Sequence, residues 1–374
     1  MKGTVLQSLP DLFLMESGKK AASHEDWKAR REELKRLAIG TGYGGMPPKP
    51  DSTEGELLST GPGLQIYRVI ARSGGRELSF ELKLFIPFRF HGNEGKQFPV
   101  ILEGDGCWRC LTEQVIEDLN RRDIIAAQFN RTAIVKDVDD TGEVLKSPLY
   151  RLFPGIEAGS LAGWAWGFSR SIDVLETLPF VDPRCIAITG HSRGGKAVLV
   201  AGAADERPLV VNPNCSGAGG AGCWRYHLGD ESNRNSRSEF LSDLLANFPN
   251  WMGKGMAEFR DHEERIPFDQ HYLKALVAPR YFLQTDGLLD FWANPPGSHA
   301  TLMAAREAYR FLGVGDRILA NYRNGGHDHS AGDFGILADL IGWIRSGIAP
   351  DKRLREDPFP DLDGLFVNKA SNIC

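Results

Sequence analysis

The feature that most constrains the fold is the alternation of short apolar runs with helical segments from about residue 99 onward. The apolar runs end in small or polar residues, as do buried parallel strands that open into functional loops. Five runs are strand candidates: PVILEGDG from Pro99, IIAAQFN from Ile124, CIAITGHS from Cys185, PLVVNPN from Pro208 and RYFLQTDG from Arg280. Helix-like segments such as 161–178 and 196–204 lie between them. The alternation predicts an α/β fold with a doubly wound, mostly parallel sheet and helices on both faces.

A different pattern precedes this alternation. Residues 64–71 and 77–86 alternate apolar with polar side chains, which predicts an antiparallel pair of strands. No internal repeat or low-complexity tract divides the chain. We therefore expect a single domain over 1–374, with 1–60 as an N-terminal wrapping segment and 351–374 as a C-terminal surface tail.

Composition argues against several classes of function. The formal net charge is -5 and no polybasic patch occurs, so we expect no nucleic-acid partner. No window approaches the roughly 18 apolar residues of a membrane span, so we expect no membrane partner. Acidic and proline residues interrupt the apolar stretch at the N-terminus, which is untypical of a signal peptide. The sequence as given predicts a cytoplasmic protein, or a secreted or periplasmic one if a signal was removed.

The cysteines suggest little chemistry. Cys107 and Cys110 form a single C-W-R-C, whereas a tetrahedral zinc site normally needs a second ligand pair. The spacing of Cys215 and Cys223 does not supply one. We expect reduced thiols, no metal and no cofactor. Whether Cys107 and Cys110 form a disulfide stays an open question.

The sequence G-H-S-R-G at residues 190–194 is the motif most specific for catalysis. A β-branched strand precedes it and a small-residue helix follows, which is the context of the nucleophile elbow in the α/β-hydrolase fold. The helix N-terminus favours developing negative charge. We predict that Ser192 is the nucleophile and that the N–H of Arg193 donates to an oxyanion. The alternative is a glycine-rich turn that only packs a helix on a strand.

The partners of Ser192 should follow it in the order acid, then histidine. Residues 317–330 predict a short strand and a Gly-Gly loop with two histidines, of which we predict His327 as the base, with His329 as the alternative. The acid should follow a strand between the elbow and this loop. We favour Asp290, placed a few residues into the loop, over Asp286, which ends the strand.

Several segments resemble the glucuronoyl esterases of carbohydrate esterase family 15, bacterial type. The resemblance covers most of the chain, and its extended elbow and S-G-A-G-G…C-W-R stretch are specific. The similar segments include GWAWG at 163–167, GHSRGGK at 190–196, SGAGG at 216–220, CWR at 223–225, PFDQH at 267–271, DFWANP at 290–295 and GGH at 325–327.

The resemblance implies hydrolysis of esters between 4-O-methylglucuronic acid on xylan and alcohols of lignin. By position it implies Ser192 as the nucleophile, His327 as the base and Arg193 as a cationic helper at the oxyanion. Lys196 would hold sugar hydroxyls, Trp292 would stack on the sugar face, and Glu239 lies in the region of a fungal glucuronate-binding acid.

The chain departs from the fungal pattern at Cys215, where fungal members have the triad glutamate. Some bacterial members place the acid after the later strand instead, which matches Asp290. Two other functions stay open: an acetyl or feruloyl esterase with the same triad, and a non-catalytic carbohydrate-binding relative. The expected partner is a small-molecule or polysaccharide ester, and the sequence does not set the oligomeric state.

Overall fold

A computed structural model describes residues 3–87, 95–108, 110–137, 142–229 and 236–362. The strands are β1 (Gly3–Val5), β2 (Ser52–Gly61), β3 (Leu64–Ser73), β4 (Arg76–Phe85), β5 (Phe98–Glu103), β6 (Ile125–Phe129), β7 (Val181–His191), β8 (Val210–Asn214), β9 (Tyr226–Leu228), β10 (Tyr281–Gly287) and β11 (Ile318–Arg323). The α-helices are α1 (His24–Lys35), α2 (Glu113–Arg121), α3 (Pro148–Leu152), α4 (Ser160–Leu175), α5 (Arg193–Ala204), α6 (Leu241–Asn247), α7 (His271–Val277), α8 (Pro295–Phe311) and α9 (Ala331–Ser346). Within these ranges no helix is both long and apolar enough to cross a membrane.

Nine strands form the central sheet, in the order β11-β10-β8-β7-β5-β6-β4-β3-β2. The six strands from β11 to β6 pair in parallel, which confirms the predicted parallel sheet. The predicted antiparallel pair is also confirmed as β3 and β4. The structure adds β2 as a third antiparallel strand at the edge. Its side chains are mostly exposed, so burial imposes no clear alternation on its sequence.

Alternate residues of the parallel strands enter two separate cores. In β5, Val100 and Leu102 belong to the core that contains α4, α5, α7 and α8. Ile101 points to the other face and packs with residues of α2 and α9. This two-sided burial explains why the strands read as continuous apolar runs, and it confirms the expected helices on both faces.

Both ends of the described chain are attached to the body. β1 pairs antiparallel with β9, so the chain start covers the segment after β8. The buried Arg30 of α1 donates to the carbonyl of Leu12 and to the hydroxyl of Tyr272 in α7. Near the other end, the Asp357 carboxylate lies 2.9 Å from Nε2 of the buried His299 in α8. Residues 363–374 of the predicted tail, with Cys374, lie outside the described residues.

Candidate active site

The chain turns sharply between β7 and α5, and Ser192 occupies the turn. Its φ of 54° and ψ of -117° are unusual for a residue with a side chain, and such strain is typical of functional sites. A Cβ on Gly194 would lie 2.2 Å from the Asp105 carboxylate, and one on Gly190 would lie 2.8 Å from the backbone of Gly194. Close contacts therefore require both glycines, as a nucleophile elbow does.

Asp105 holds the backbone just before this elbow, and it was not among the site residues expected from the sequence. It follows β5, the neighbour of β7, and is fully buried. Its carboxylate accepts from the backbone N–H of His191 at 2.7 Å and from the guanidinium of Arg131. A carboxylate just beyond the carboxyl end of a buried parallel strand was the available signal, because such ends meet at one edge of the sheet.

His327 and Asp290 are brought together by the loops after β11 and β10. Nδ1 of His327 lies 2.6 Å from Oδ2 of Asp290. The carboxylate is 3% exposed, whereas the imidazole is 40% exposed. Asp290 also accepts from the N–H of Ala293 at 3.3 Å, so its orientation is held from a second side. With Nδ1 bound to the carboxylate, Nε2 is the nitrogen that can take a proton.

The two alternatives have other surroundings. His329 is buried and its ring stacks on Phe334 at 4.1 Å between centroids. Neither of its ring nitrogens has a hydrogen-bond partner among the described residues. Asp286 accepts from Nε2 of Gln284 at 2.7 Å and from the N–H of Cys215 at 3.2 Å. Burial raises the pKa of Asp286 to about 7.

His191 forms part of the wall beside the base. Its ring centroid lies 4.5 Å from that of His327, and its Nδ1 lies 2.6 Å from Oδ1 of Asn214. Burial, with a further effect of His327, lowers the pKa of His191 to about 4. His191 is therefore neutral at neutral pH and does not repel an imidazolium that forms on its neighbour.

Cys215 also lies at this site. Its Sγ, a carboxylate oxygen of Asp290 and a ring nitrogen of His327 are all within 4.8 Å of one another. Burial raises the pKa of the Cys215 thiol, so the sulfur stays protonated at neutral pH.

Arg193 projects from the first position of α5 into an aromatic cage. Its guanidinium carbon lies 4.8 to 5.1 Å from the ring centroids of Trp108, Phe248 and Trp251. Nη1 donates to Asp137 at 3.0 Å, and Nε has no acceptor among the residues that the structure describes. Aromatic faces hold a guanidinium without using its donors, so the cage keeps a cation with unused hydrogen-bond capacity beside the elbow.

Trp108 of the C-W-R-C motif takes part in packing against a second arginine as well. Trp108 also lies 4.4 Å from the guanidinium carbon of the buried Arg131, which is hydrogen-bonded to Asp105. Cys107 and Cys110 are free thiols. Burial raises the pKa of these thiols to about 11 and about 12. The segment thus supplies an indole between two arginines.

Lys196 and Glu239 form a buried ion pair. Nζ donates to Glu239 Oε2 at 2.7 Å, to the carbonyl of Ser216 at 2.8 Å and to the carbonyl of Ala218. The two charged side chains are 4% and 6% exposed. An ammonium group has three donors, and all three have protein acceptors, so Lys196 has none left for the sugar hydroxyl that the resemblance implies.

Trp292 lies two residues after Asp290, in a short 3-10 turn (Phe291–Ala293). It is half-buried, and its carbonyl accepts from the N–H of Glu239 at 3.0 Å. The buried ion pair and the turn with Asp290 are therefore connected through the backbone of Trp292.

We expect Lys196→Met to lower the free energy of unfolding by about 3–5 kcal/mol, because it leaves the buried Glu239 carboxylate without its cation. Urea denaturation measures this. The double variant Lys196→Met/Glu239→Gln should recover much of the loss, since no unpaired charge remains. Unchanged stability with a raised KM would instead mean that Lys196 serves the substrate directly.

Comparison with known proteins places this geometry in a family. Residues 69–313 match the family described as "Glucuronyl esterase, fungi". The 4-O-methyl-glucuronoyl methylesterase of Hypocrea jecorina is 30% identical over 345 residues, 90% of this chain and 69% of the relative.

Solved structures agree with this match. A carbohydrate esterase family 15 glucuronoyl esterase from Caldicellulosiruptor kristjansonii is 33% identical with a TM-score of 0.82, over 97% of each chain. A mutant glucuronoyl esterase from Sporotrichum thermophile, in complex with methyl 4-O-methyl-beta-D-glucopyranuronate, is 25% identical with a TM-score of 0.74, over 91% of this chain and 88% of that one. The predicted resemblance is confirmed: the chain belongs to the glucuronoyl esterase family, carbohydrate esterase family 15, and has the α/β-hydrolase fold.

Proposed function

We propose that the protein is a serine carboxylic-ester hydrolase that cleaves 4-O-methylglucuronoyl esters of plant cell-wall carbohydrate. The observation that carries the proposal is the His327–Asp290 pair beside the strained Ser192 elbow, at a Nδ1–Oδ2 distance of 2.6 Å. The substrate class is supported by the relatives, one of which is described in complex with a methyl glucuronate ester.

The proposed reaction passes through an acyl-enzyme. Nε2 of His327 takes the proton of Ser192 while Oγ attacks the ester carbonyl, and Asp290 stabilises the imidazolium. His327 then gives this proton to the departing alcohol oxygen. Water, activated by the same imidazole, attacks the acyl carbon and releases the uronic acid and the free serine.

Arg193 has two roles in this scheme. Its backbone N–H, at the start of α5, stabilises the oxygen that becomes negative in the tetrahedral intermediate. Its caged guanidinium adds fixed positive charge at the same end of the helix.

Trp292 supplies the remaining recognition in this proposal. Its half-buried indole offers an apolar face for a pyranose ring, close in sequence to Asp290. Lys196 and Glu239 act here as positioning residues, because their charges are paired with each other under the loop that follows β8.

The substrate class is tested with two benzyl esters that share a leaving group, benzyl glucuronate and benzyl cyclohexanecarboxylate. We expect kcat/KM to be at least about 100-fold higher for the glucuronate, because a cyclohexane ring leaves unpaired any buried polar group that binds a sugar hydroxyl. Initial rates by product chromatography measure the ratio.

Two further substrates decide between the alternatives. Turnover of acetylated xylan or methyl ferulate without turnover of benzyl glucuronate would keep the serine mechanism and replace the substrate class. No turnover of any ester, combined with glucuronoxylan binding in calorimetry, would identify a non-catalytic carbohydrate-binding relative.

A further inference from the structure

We infer that Arg323 is a positioning residue for His327: its guanidinium holds the loop that carries the base, and it sets where the imidazole stands relative to Ser192. This inference rests on the proposed function, because it takes His327 as the base. Arg323 is the last residue of β11, and the loop with His327 follows it directly.

The first observation is a pair of hydrogen bonds that bracket the base. Nη2 of Arg323 donates to the carbonyl of Gly326 at 2.8 Å and to the carbonyl of Asp328 at 2.5 Å. These are the residues immediately before and after His327. One charged group thus binds a carbonyl oxygen of the residue on each side of the base, and charge-assisted hydrogen bonds are stronger than neutral ones.

The second observation is a rigid anchor on the other side of the guanidinium. Nε of Arg323 donates to Oδ2 of Asp333 at 3.0 Å. The fully buried Asp333 forms the capping box of α9 with Ser330, whose N–H and hydroxyl both lie 2.8 Å from the same oxygen. Through Arg323, the loop that carries His327 is therefore attached to α9, a helix that packs in the core.

The third observation concerns the glycine pair before His327. A Cβ on Gly325 would lie 2.4 Å from Nη1 of Arg323, so a larger side chain there would displace the guanidinium. Glycines cannot fix a loop by their own conformational preferences. The arginine supplies the constraint that the Gly-Gly sequence lacks.

Arg323 also approaches the other side of the site. Its Nη2 lies 3.8 Å from Sγ of Cys215, which is within 4.8 Å of the His327–Asp290 pair. The guanidinium therefore links β11, the start of α9 and the end of β8. Catalytic groups must be held within about 0.5 Å of the productive geometry, and this network does so for the base.

The test compares Arg323→Ala with the wild-type protein on the ester that the wild type hydrolyses fastest. We expect kcat to fall about 10- to 100-fold with KM within about twofold, because a misplacement of about 1 Å costs about 100-fold in rate. Added guanidinium chloride, below the concentration that affects the wild type, should restore part of kcat. The residue lines a surface cavity with Ser330 and Asp333, through which the small cation can enter.

The matched control is Arg353→Ala, which removes another arginine that lines the same cavity. Arg353 pairs locally with Asp351 at 2.8 Å and is 72% exposed, so kcat should stay at the wild-type value, with and without guanidinium. Urea at the same concentration should not restore the kcat of Arg323→Ala. Thermal unfolding verifies that the variants are folded.

The outcomes separate the two proposals. A wild-type protein without ester hydrolysis contradicts the proposed function. Active wild type with unchanged kcat in folded Arg323→Ala, or a reduced kcat that guanidinium does not restore, overturns the role of Arg323. If Arg323→Ala does not fold, Arg323→Lys decides: an intermediate kcat with unchanged KM supports the inference, and the wild-type kcat overturns it.

Discussion

Ser192→Ala is expected to lower kcat for benzyl glucuronate by about a million-fold, since no other oxygen can form the acyl-enzyme. The loss should affect kcat much more than substrate binding, because the substitution removes a single oxygen at the elbow. Steady-state hydrolysis measures the rate, and calorimetric titration with glucuronic acid measures binding.

A matched control and a label make this result specific. Ser346→Ala removes an exposed hydroxyl from the end of α9 and should leave the rate unchanged. A fluorophosphonate should add one adduct to the wild type, on the peptide with Ser192, and none to Ser192→Ala. A variant that keeps more than about 1% of the rate would place the nucleophile elsewhere.

Asp290→Asn is expected to lower kcat by about 10⁴-fold with little change in KM. The amide can donate to Nδ1 of His327, which stabilises the tautomer that carries the proton on Nε2 and so disables the base. The 2.6 Å contact between the two residues is the basis of this expectation.

Asp286→Asn is the matched comparison, since the same substitution is made four residues earlier in the chain. Asp286 accepts from Gln284 and from the backbone of Cys215, so its loss should change kcat by less than about 10-fold. The ratio of the two effects decides the triad acid. A larger loss in Asp286→Asn than in Asp290→Asn, with both variants folded, would reverse our assignment.

Much of the architecture could be predicted from local patterns. Strands buried on both faces appear as apolar runs, and β5 to β8 and β10 all overlap such runs. β2 escaped prediction because an exposed edge strand has no alternation to recognise. The elbow could be predicted equally well from the sequence, since a strained serine between close-packed elements needs glycine at fixed neighbouring positions.

The residues of the candidate site could be predicted only in part from the sequence. The elbow motif selected Ser192. The chain order and loop placement that the fold imposes then favoured His327 as the base and limited the acid to two aspartates. The choice between Asp290 and Asp286 stayed open, because loops after one strand can orient either carboxylate. The contact with Nδ1 of His327 is a property of the folded loops.

Tertiary structure decided what each charged side chain does. The cage of Arg193 takes rings from Trp108, Phe248 and Trp251, which no local pattern connects. The resemblance to the family implied that Lys196 holds sugar hydroxyls, yet its three donors are occupied within the fold.

Arg323 likewise has a role that only the fold reveals. In the sequence it is an ordinary basic residue at the end of a predicted strand, and in the fold it brackets His327. Periodicity and turn chemistry act between neighbours in the chain, so a sequence reveals elements and motifs. Ion pairs and cation–π contacts join residues that only folding brings together, and the partner of each charge is therefore read from the structure.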